Sequence, residues 1–248
     1  MNFKPVITIT MREFKTLITS PLASVFLVIF LFGAGLMTFQ IGRFFDSNEA
    51  SLNIFFSFHP WLYLFLVPAI GMNLWAEEKR SGTIELLLTF PISAWHAIAA
   101  KFIATWLFIA LALLLTIPYV FMVNGLGDPD PGPIVTGYIG SFLMAGSYLA
   151  ITSFTSALTR NPIISFIIAF VGCFVLILCG YPPITEFLAN DLNAAGWIVR
   201  LVSSFSFMTH FDLMQRGLIT MRDLVFFIST IGFFLFATSF VIRSQRAG

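Results

Sequence analysis

Charged side chains are scarce in this sequence. Lysine, arginine, aspartate and glutamate make up 10% of the 248 residues, and hydrophobic residues make up 58%. Soluble domains have about 25% charged residues, so most of this chain must contact something other than water. The formal net charge is only +1, which gives no reason to expect a nucleic-acid partner.

Cysteine and histidine are equally sparse. Cys173 and Cys179 lie in one apolar stretch, about 120° apart around a helix, so they cannot form a disulfide within it. The three histidines, His59, His96 and His210, are scattered and have no metal-ligand spacing. The sequence therefore predicts neither a disulfide nor a metal site.

A phosphate-binding loop is also missing. No glycine in the chain is followed by lysine, so the pattern G-x-x-x-x-G-K-[ST] does not occur. We expect no nucleotide to bind this chain by that route, and no other pattern predicts a cofactor.

What the sequence does contain is a series of long apolar stretches without charge. A bilayer core about 30 Å thick requires roughly 20 helical residues. The stretches are continuously apolar, which is typical of membrane helices and not of alternating barrel strands. The predicted fold is an all-α integral membrane domain over residues 1–248 with six transmembrane helices. The predicted spans are residues 22–41, 60–76, 102–123, 134–158, 162–181 and 224–242.

The distribution of lysine and arginine predicts the orientation. Six spans place both termini on one side, and that side holds nine of these cations against four on the other. By the positive-inside rule the termini are cytoplasmic. The nine are Lys4, Arg12, Lys15, Lys79, Arg80, Lys101, Arg160, Arg243 and Arg246; the four are Arg43, Arg200, Arg216 and Arg222.

Residues 3–19 predict a helix that lies in the membrane interface. Phe3, Ile7, Met11, Phe14 and Ile18 recur at helical spacing, and cations follow on the adjoining face. Such a helix contacts the lipid bilayer with its apolar side and the anionic headgroups with its cations.

Residues 182–222, on the outer side, predict two short helices. One runs through Trp197 and Leu201, and the other runs from His210 to Arg216, where Asp212 and Arg216 can form an exposed ion pair. Gly217 ends the second helix. Thr220 with Asp223 resembles a capping box that opens the last span.

Two further features concern the spans themselves. Pro68 and Pro118 are expected to kink the second and third spans. Gly137, Ser141 and Ala145 form a stripe of small residues that allows another helix to approach closely. The sequence leaves open whether that helix belongs to this chain or to a second subunit.

Residues 77–92, between the second and third predicted spans, hold five charges within nine residues. Ser81-Gly82 predicts a helix break, and Thr83 can cap a new short helix with Glu85 in its first turn. Pro91 stops that helix, and Ser93 can begin the next. A short helix of this kind can lie on lipid or fill a groove on a soluble partner.

The stretch from Glu78 to Pro91 resembles the signature E-x-x-x-G-T-x-E-x-L-L-x-x-P of ABC transporter type-2 permeases. The nearest likeness is to the GldF and NosY-like branch. Residues 217–223, which lead into the last span, also look like this family, and the resemblance extends over essentially the whole chain.

The resemblance implies a permease subunit of an ATP-driven exporter. The segment 77–92 would be a coupling helix that docks into a cytoplasmic ATPase, residues 3–19 an elbow helix, and the helices in 182–222 an external gate. ATP and Mg would be bound by the partner ATPase and not by this chain. The residues implied in ATPase coupling are Glu78, Arg80, Gly82, Thr83, Glu85, Leu86, Leu87 and Pro91.

The resemblance also implies an assembly. Two permease subunits, either identical or different, would join two ATPase subunits in the bacterial inner membrane. A GldF-like system would add an auxiliary GldG-like membrane protein. The substrate is not readable, although spans without charge mildly favour an apolar or amphipathic cargo.

Three other functions are alternatives to an exporter subunit. Glu77-Glu78 is similar to the E-E-x-x-x-R motif of intramembrane proteases, but Gly82 occupies the arginine position. An ion-coupled secondary transporter would need acidic residues inside its spans, and the predicted spans contain none. A purely structural membrane subunit would not need the segment 77–92.

Overall fold

The computed structural model describes residues 4–47, 49–83, 93–190 and 195–244, and within these ranges the chain is helical without β-strands. Two irregular turns follow α2, a π-helical turn at Met37–Ile41 and a 3-10 turn at Phe44–Ser47. The helices are α1 (Lys4–Ile18), α2 (Pro21–Leu36), α3 (Asn53–Ser57), α4 (His59–Gly71), α5 (Asn73–Ser81), α6 (Ala94–Leu114), α7 (Ile117–Leu126), α8 (Pro131–Leu158), α9 (Pro162–Leu178), α10 (Pro182–Asn190), α11 (Gly196–Ser203), α12 (Phe207–Gln215) and α13 (Met221–Ser244).

Helix α8 is the centre of the bundle. Helices α4, α5, α6, α9, α12 and α13 all pack against it, and most of its side chains are buried. Small residues make this possible, because they let the neighbouring backbones approach closely. The buried small residues of α8 are Gly137, Gly140, Ser141, Ala145, Gly146, Ser147 and Ala150.

The small-residue stripe on α8 is occupied from within the chain. A Cβ added at Gly137 would lie 2.5 Å from the ring of Phe56 in α3. The Ser141 hydroxyl is 2.7 Å from the hydroxyl of Tyr63 in α4. The stripe therefore packs against helices α3 and α4.

Several helix ends have a local cause in the sequence. Ser20 caps α2 and is followed by Pro21, which cannot donate to the preceding turn. Pro118 lies in the first turn of α7, so the predicted kink is a full break at Leu115–Thr116. Pro68 lies inside α4, and that helix ends at Gly71.

The break between α4 and α5 is held by a hydroxyl of α8. Ser156 Oγ accepts hydrogen bonds from the backbone N–H groups of Trp75 and Ala76, both at 3.0 Å, and donates to Met72 O at 2.7 Å. A buried break without such partners would leave backbone groups unpaired, which is costly. The hydrogen-bonding groups at the break are thus satisfied by the serine side chain that packs against it.

Four helical segments of the described chain are long and apolar enough to cross a membrane, and a fifth qualifies if α9 and α10, bent by 62°, form one span. The four are Pro21–Asp46, Ala94–Leu126, Pro131–Leu158 and Met221–Ser244. The second predicted span corresponds to α4 and α5, and each is too short alone because of the break at Met72. The number six therefore stays a prediction.

Large apolar side chains cover the outside of the bundle. Val28 and Phe32 of α2, Ile163 of α9, and Phe236 and Phe240 of α13 are all exposed. Soluble monomers rarely expose continuous apolar surface of this size. Together with the apolar helices, this surface makes the chain a multi-pass membrane protein.

Helix α1 packs against α6 along a face that contains Thr10 and the partly buried Phe14 and Leu17. Thr10 is buried and donates a hydrogen bond to Ala100 O at 3.4 Å. Ile7 and Met11 point away from the bundle and are exposed. An apolar face turned outward in this way is what contact with lipid requires.

The opposite end of the bundle, away from α1, contains the short helices α10 to α12. The two helices predicted from Trp197 and His210 are α11 and α12, and Gly217 ends α12 with a φ of 90°. The capping box is confirmed: Thr220 Oγ donates to Asp223 Oδ2 at 2.6 Å, and Asp223 N donates back at 3.3 Å. Helix α10 (Pro182–Asn190) was not predicted separately.

Two smaller predictions are also confirmed. Cys173 and Cys179 are both free, so they form no bridge. Asp212 and Arg216 form the predicted pair at 2.9 Å, with both side chains largely exposed.

We predict that Gly137→Ala weakens the packing of α3 against α8. The added methyl group would overlap the buried ring of Phe56, and overpacking of this kind costs about 1–3 kcal/mol. Thermal unfolding of the detergent-purified protein measures the loss. Gly232→Ala is the matched control, because no atom lies within 4 Å of its Cβ position and alanine favours helix. Equal midpoints for the two variants would contradict the prediction.

Candidate functional site

The predicted coupling segment leaves the bundle at the end of α5. Lys79 and Arg80 occupy the last turn of α5, and Gly82 follows with a left-handed φ of 75°, so the predicted break at Ser81-Gly82 is confirmed. Thr83 is exposed, and its hydroxyl is 2.9 Å from that of Ser81. Residues 84–92, with Glu85, Leu86, Leu87 and Pro91, lie outside the described residues.

The chain re-enters the bundle at α6. Ser93 is the N-cap of this helix, and its hydroxyl accepts a hydrogen bond from His96 N at 3.4 Å. The Ser93 prediction is therefore confirmed. Both points at which the segment joins the bundle are fixed by local caps.

Lys101 of α6 connects the helices at this end. Its ammonium group is 2.7 Å from Glu78 Oε1 of α5 and 3.8 Å from Glu13 Oε2 of α1. It also donates to Leu74 O at 3.1 Å and lies 5.4 Å from the ring centre of Trp75. Only 10% of the Lys101 side chain is exposed. One buried cation thus joins α1, α5 and α6.

The same end is tied to α8 through Lys79 and Trp75. The Lys79 ammonium donates to Ala157 O, and the Trp75 indole donates to Ser153 Oγ at 3.1 Å. Burial lowers the pKa of Lys79, and the nearby charge of Arg160 lowers it further. The base of α5 is therefore held against the end of α8.

A small apolar cluster completes the connection to the last helix. Ile242, near the end of α13, packs among buried side chains of α5, α6 and α8. The other buried members of this cluster are Trp75, Ala94, Ala97, Ile98 and Ala157. Five helices, α1, α5, α6, α8 and α13, meet around the two ends of the coupling segment.

The predicted site residues differ in their surroundings. The Glu78 side chain is 22% exposed and is bound to Lys101. Arg80 is exposed and pairs with Glu77 at 3.2 Å. Glu78 thus faces the bundle, whereas Arg80, Gly82 and Thr83 face outward.

Glu13 and Lys101 were not predicted as site residues. The sequence placed Lys101 at a membrane boundary and Glu13 in the elbow helix, but they are 88 positions apart and no local spacing connects them. Charge gave a signal for Lys101 alone, which is the single charged residue between Glu85 and Asp128, whereas Glu13 lies beside Arg12.

Within the ranges described, no group of three or more metal-ligating side chains comes together. The polar atoms at this end serve to join helices and to position an outgoing segment. The apolar helices and the exposed apolar surface of the bundle define a multi-pass membrane protein.

Comparison with known families specifies the class further. A family model described as an ABC-2 family transporter protein matches residues 36–243, well over half of the chain. The chain belongs to this family, and the resemblance to ABC transporter type-2 permeases is thereby confirmed. The match begins within α2, so it does not include α1. No curated protein matches the chain.

Membership makes this chain the membrane-embedded permease subunit of an ABC transporter. Such a subunit has no ATPase of its own and works with a separate ATPase partner.

We predict that Lys101→Met separates α1 from α5. The substitution leaves Glu13 and Glu78 without their shared cation in a largely buried place, at a cost of about 3 kcal/mol. Thermal unfolding measures the stability, and hydrogen–deuterium exchange measures the release of α1. Arg80→Met is the control, because its exposed ion pair with Glu77 contributes less than about 1 kcal/mol.

Adding Glu78→Gln to Lys101→Met should recover part of the lost stability, because one of the two unpaired charges is then gone. Unchanged exchange in α1 of the single variant would show that Lys101 does not hold that helix.

Proposed function

We propose that this chain is the permease subunit of an ATP-driven exporter, in which the segment 77–92 transmits movement from the ATPase. The observation that carries the proposal is the Lys101 junction. It binds Glu78, at the start of the segment, to α6, the helix that follows the segment. A force applied to the segment would therefore reach three helices at once.

The residues of the segment have separate roles in this proposal. Glu78 anchors the base of the segment to Lys101, and Gly82 turns the chain out of α5. Arg80 and Thr83 are exposed and available to the ATPase. Glu85, Leu86, Leu87 and Pro91 would form the docking helix itself, as the family signature implies.

We further propose six spans, with α4 and α5 as the second and α9 and α10 as the fifth. Contacts around Trp75 and Ile242 support an even number of crossings, since they place α1 and the end of α13 at the same end of the bundle. That end also holds Arg12, Lys79, Arg80 and Lys101, which favours a cytoplasmic location. Helices α10 to α12 then lie on the outer side.

The proposed assembly contains two permease subunits and two ATPase subunits in a bacterial inner membrane. The GldF and NosY-like branch is the nearest likeness, and a GldF-like system would include an auxiliary GldG-like membrane protein. ATP and Mg would bind to the ATPase. The cargo is an unidentified substrate, for which the apolar spans favour an apolar or amphipathic molecule.

Family membership favours this function over the two alternatives that remained strongest. Neither an ion-coupled secondary transporter nor a structural subunit would need the segment that begins beside the cap at Gly82 and ends at the cap at Ser93.

We predict that Glu85→Lys disrupts coupling without unfolding the chain. A lysine in the first turn of the docking helix opposes the positive end of the helix dipole and reverses the charge offered to the ATPase. The purified permease should capture at least about tenfold less ATPase, which corresponds to about 1.4 kcal/mol of binding. Co-purification and ATPase stimulation measure the effect.

Glu186→Lys is the matched control. It makes the same charge change on an exposed residue of α10, at the other end of the bundle. Capture of the ATPase should be unchanged. Normal capture and normal stimulation by the Glu85→Lys protein would count against the proposed role of the segment.

The orientation is tested by single cysteines in a Cys179→Ser background, in which the buried Cys173 remains. Exposed positions 81 and 244 should share one side, and exposed position 128 should lie on the other. In intact spheroplasts an impermeant maleimide should label Asp128→Cys but neither Ser81→Cys nor Ser244→Cys. Labelling of Ser81→Cys from outside would overturn the cytoplasmic location.

A further inference from the structure

The outer end of the bundle contains a buried histidine–aspartate pair. His210 of α12 and Asp223 of α13 are both nearly inaccessible, and His210 Nδ1 lies 2.6 Å from Asp223 Oδ1. The other ring nitrogen, Nε2, lies 3.0 Å from the carbonyl oxygen of Ser204, directly after α11. One imidazole ring therefore joins three helices.

The hydrogen-bond partners fix how many protons this pair holds. A carbonyl oxygen only accepts, so Nε2 of His210 must carry a hydrogen. The 2.6 Å contact between Nδ1 and Oδ1 requires one more proton, whichever of the two atoms holds it. The pair therefore contains one proton more than a neutral histidine beside a carboxylate.

The second carboxylate oxygen of Asp223 has its own donors. Oδ2 accepts from the Thr220 hydroxyl at 2.6 Å and from Thr220 N at 3.3 Å. The ring of His210 stacks on Phe226 with 4.1 Å between ring centres. Polar partners thus surround the carboxylate, and an aromatic ring covers the histidine.

Among the described residues, no third charged side chain forms an ion pair with His210 or Asp223. Asp212 and Arg216, on the same helix, pair with each other on the exposed side. Helices α3, α8 and α9, which also pack against α12, have no charged residue. Other titratable or charged side chains on these helices are Tyr138 and Tyr148, which hydrogen-bond to Thr116 and to Pro60 O, the free Cys173, and the exposed Arg222 and Arg243. The residues beside these helices add the buried His59, the free Cys179, and the exposed Asp130, Arg160, Tyr181 and Arg200.

We propose that His210 and Asp223 form a proton-binding site that fastens α11 and α12 to α13, and that loss of the proton releases these helices. Without it, a ring nitrogen lone pair faces either the carboxylate or the Ser204 carbonyl. Two facing acceptors in a buried place repel each other and lose their hydrogen bond. The attachment is thus strongest at low pH and weakens as the pH rises.

This inference goes beyond the proposed transport function and does not depend on the orientation in the membrane. It is tested on the purified full-length chain in lipid nanodiscs by hydrogen–deuterium exchange, corrected for the intrinsic rate. When the pH is raised from about 6 to about 9, protection of α11 and α12 should fall about tenfold relative to α8.

The Asp223→Asn variant removes the need for the extra proton but keeps the hydrogen bonds of this side chain. The Asn amide can donate to Nδ1 of a neutral His210, and its oxygen can still accept from Thr220. All partners are then satisfied without the extra proton, so protection of α11 and α12 should no longer depend on pH. Asp212→Asn is the control, since it removes an exposed carboxylate of α12 and should leave the wild-type dependence in place.

A second measurement covers the case in which Asp223→Asn fails to fold. Nitrogen-15 NMR of the wild-type protein, with the His210 signals assigned from a His210→Gln sample, should show hydrogens on both ring nitrogens or one shared with Asp223 near pH 6. Equal pH dependence in wild type and Asp223→Asn, or a singly protonated ring with no shared proton, would overturn the proposal.

Discussion

The structure depends on keeping charge inside a bundle that is otherwise apolar. An ammonium group removed from water is costly unless carboxylates and carbonyls surround it. Lys101 meets this requirement with Glu13, Glu78 and Leu74 O, which belong to helices far apart in sequence. Because the cation needs all three, the positions of α1, α5 and α6 are linked. The same contacts hold Glu78, where the segment 77–92 begins, against the bundle.

A second constraint acts along α8. Its small residues let six helices approach, and its serines supply the polar partners that broken helices need. Ser156 satisfies the break between α4 and α5, and Ser153 holds Trp75. If the chain bends at this break, the backbone groups there can keep their hydrogen bonds with the Ser156 hydroxyl. The bend then need not expose unpaired backbone groups to lipid. The central helix is therefore both the packing core and the support for any hinge beside it.

Local patterns in the sequence predicted local structure well. Ser81-Gly82, Ser93 and the Thr220–Asp223 box all define helix ends through contacts within four residues. Long-range pairs could not be read in the same way. Glu13 with Lys101, and His210 with Asp223, show no periodicity that connects them, and Asp223 looked only like a cap. The second span was harder still, because hydropathy averages over the break at Met72 that divides α4 from α5.

The helices of this bundle differ greatly in length. Helix α6 has 21 residues, or about 32 Å of helix, before the break at Leu115–Thr116, whereas α9 has 17 residues, or about 26 Å. A hydrocarbon core is about 30 Å thick. Helix α6 therefore matches the thickness of the core, whereas lipid beside α9 must thin unless the bent α10 extends that crossing. Two faces of the molecule thus favour bilayers of different thickness. The composition of the surrounding lipid therefore affects the relative stability of its conformations.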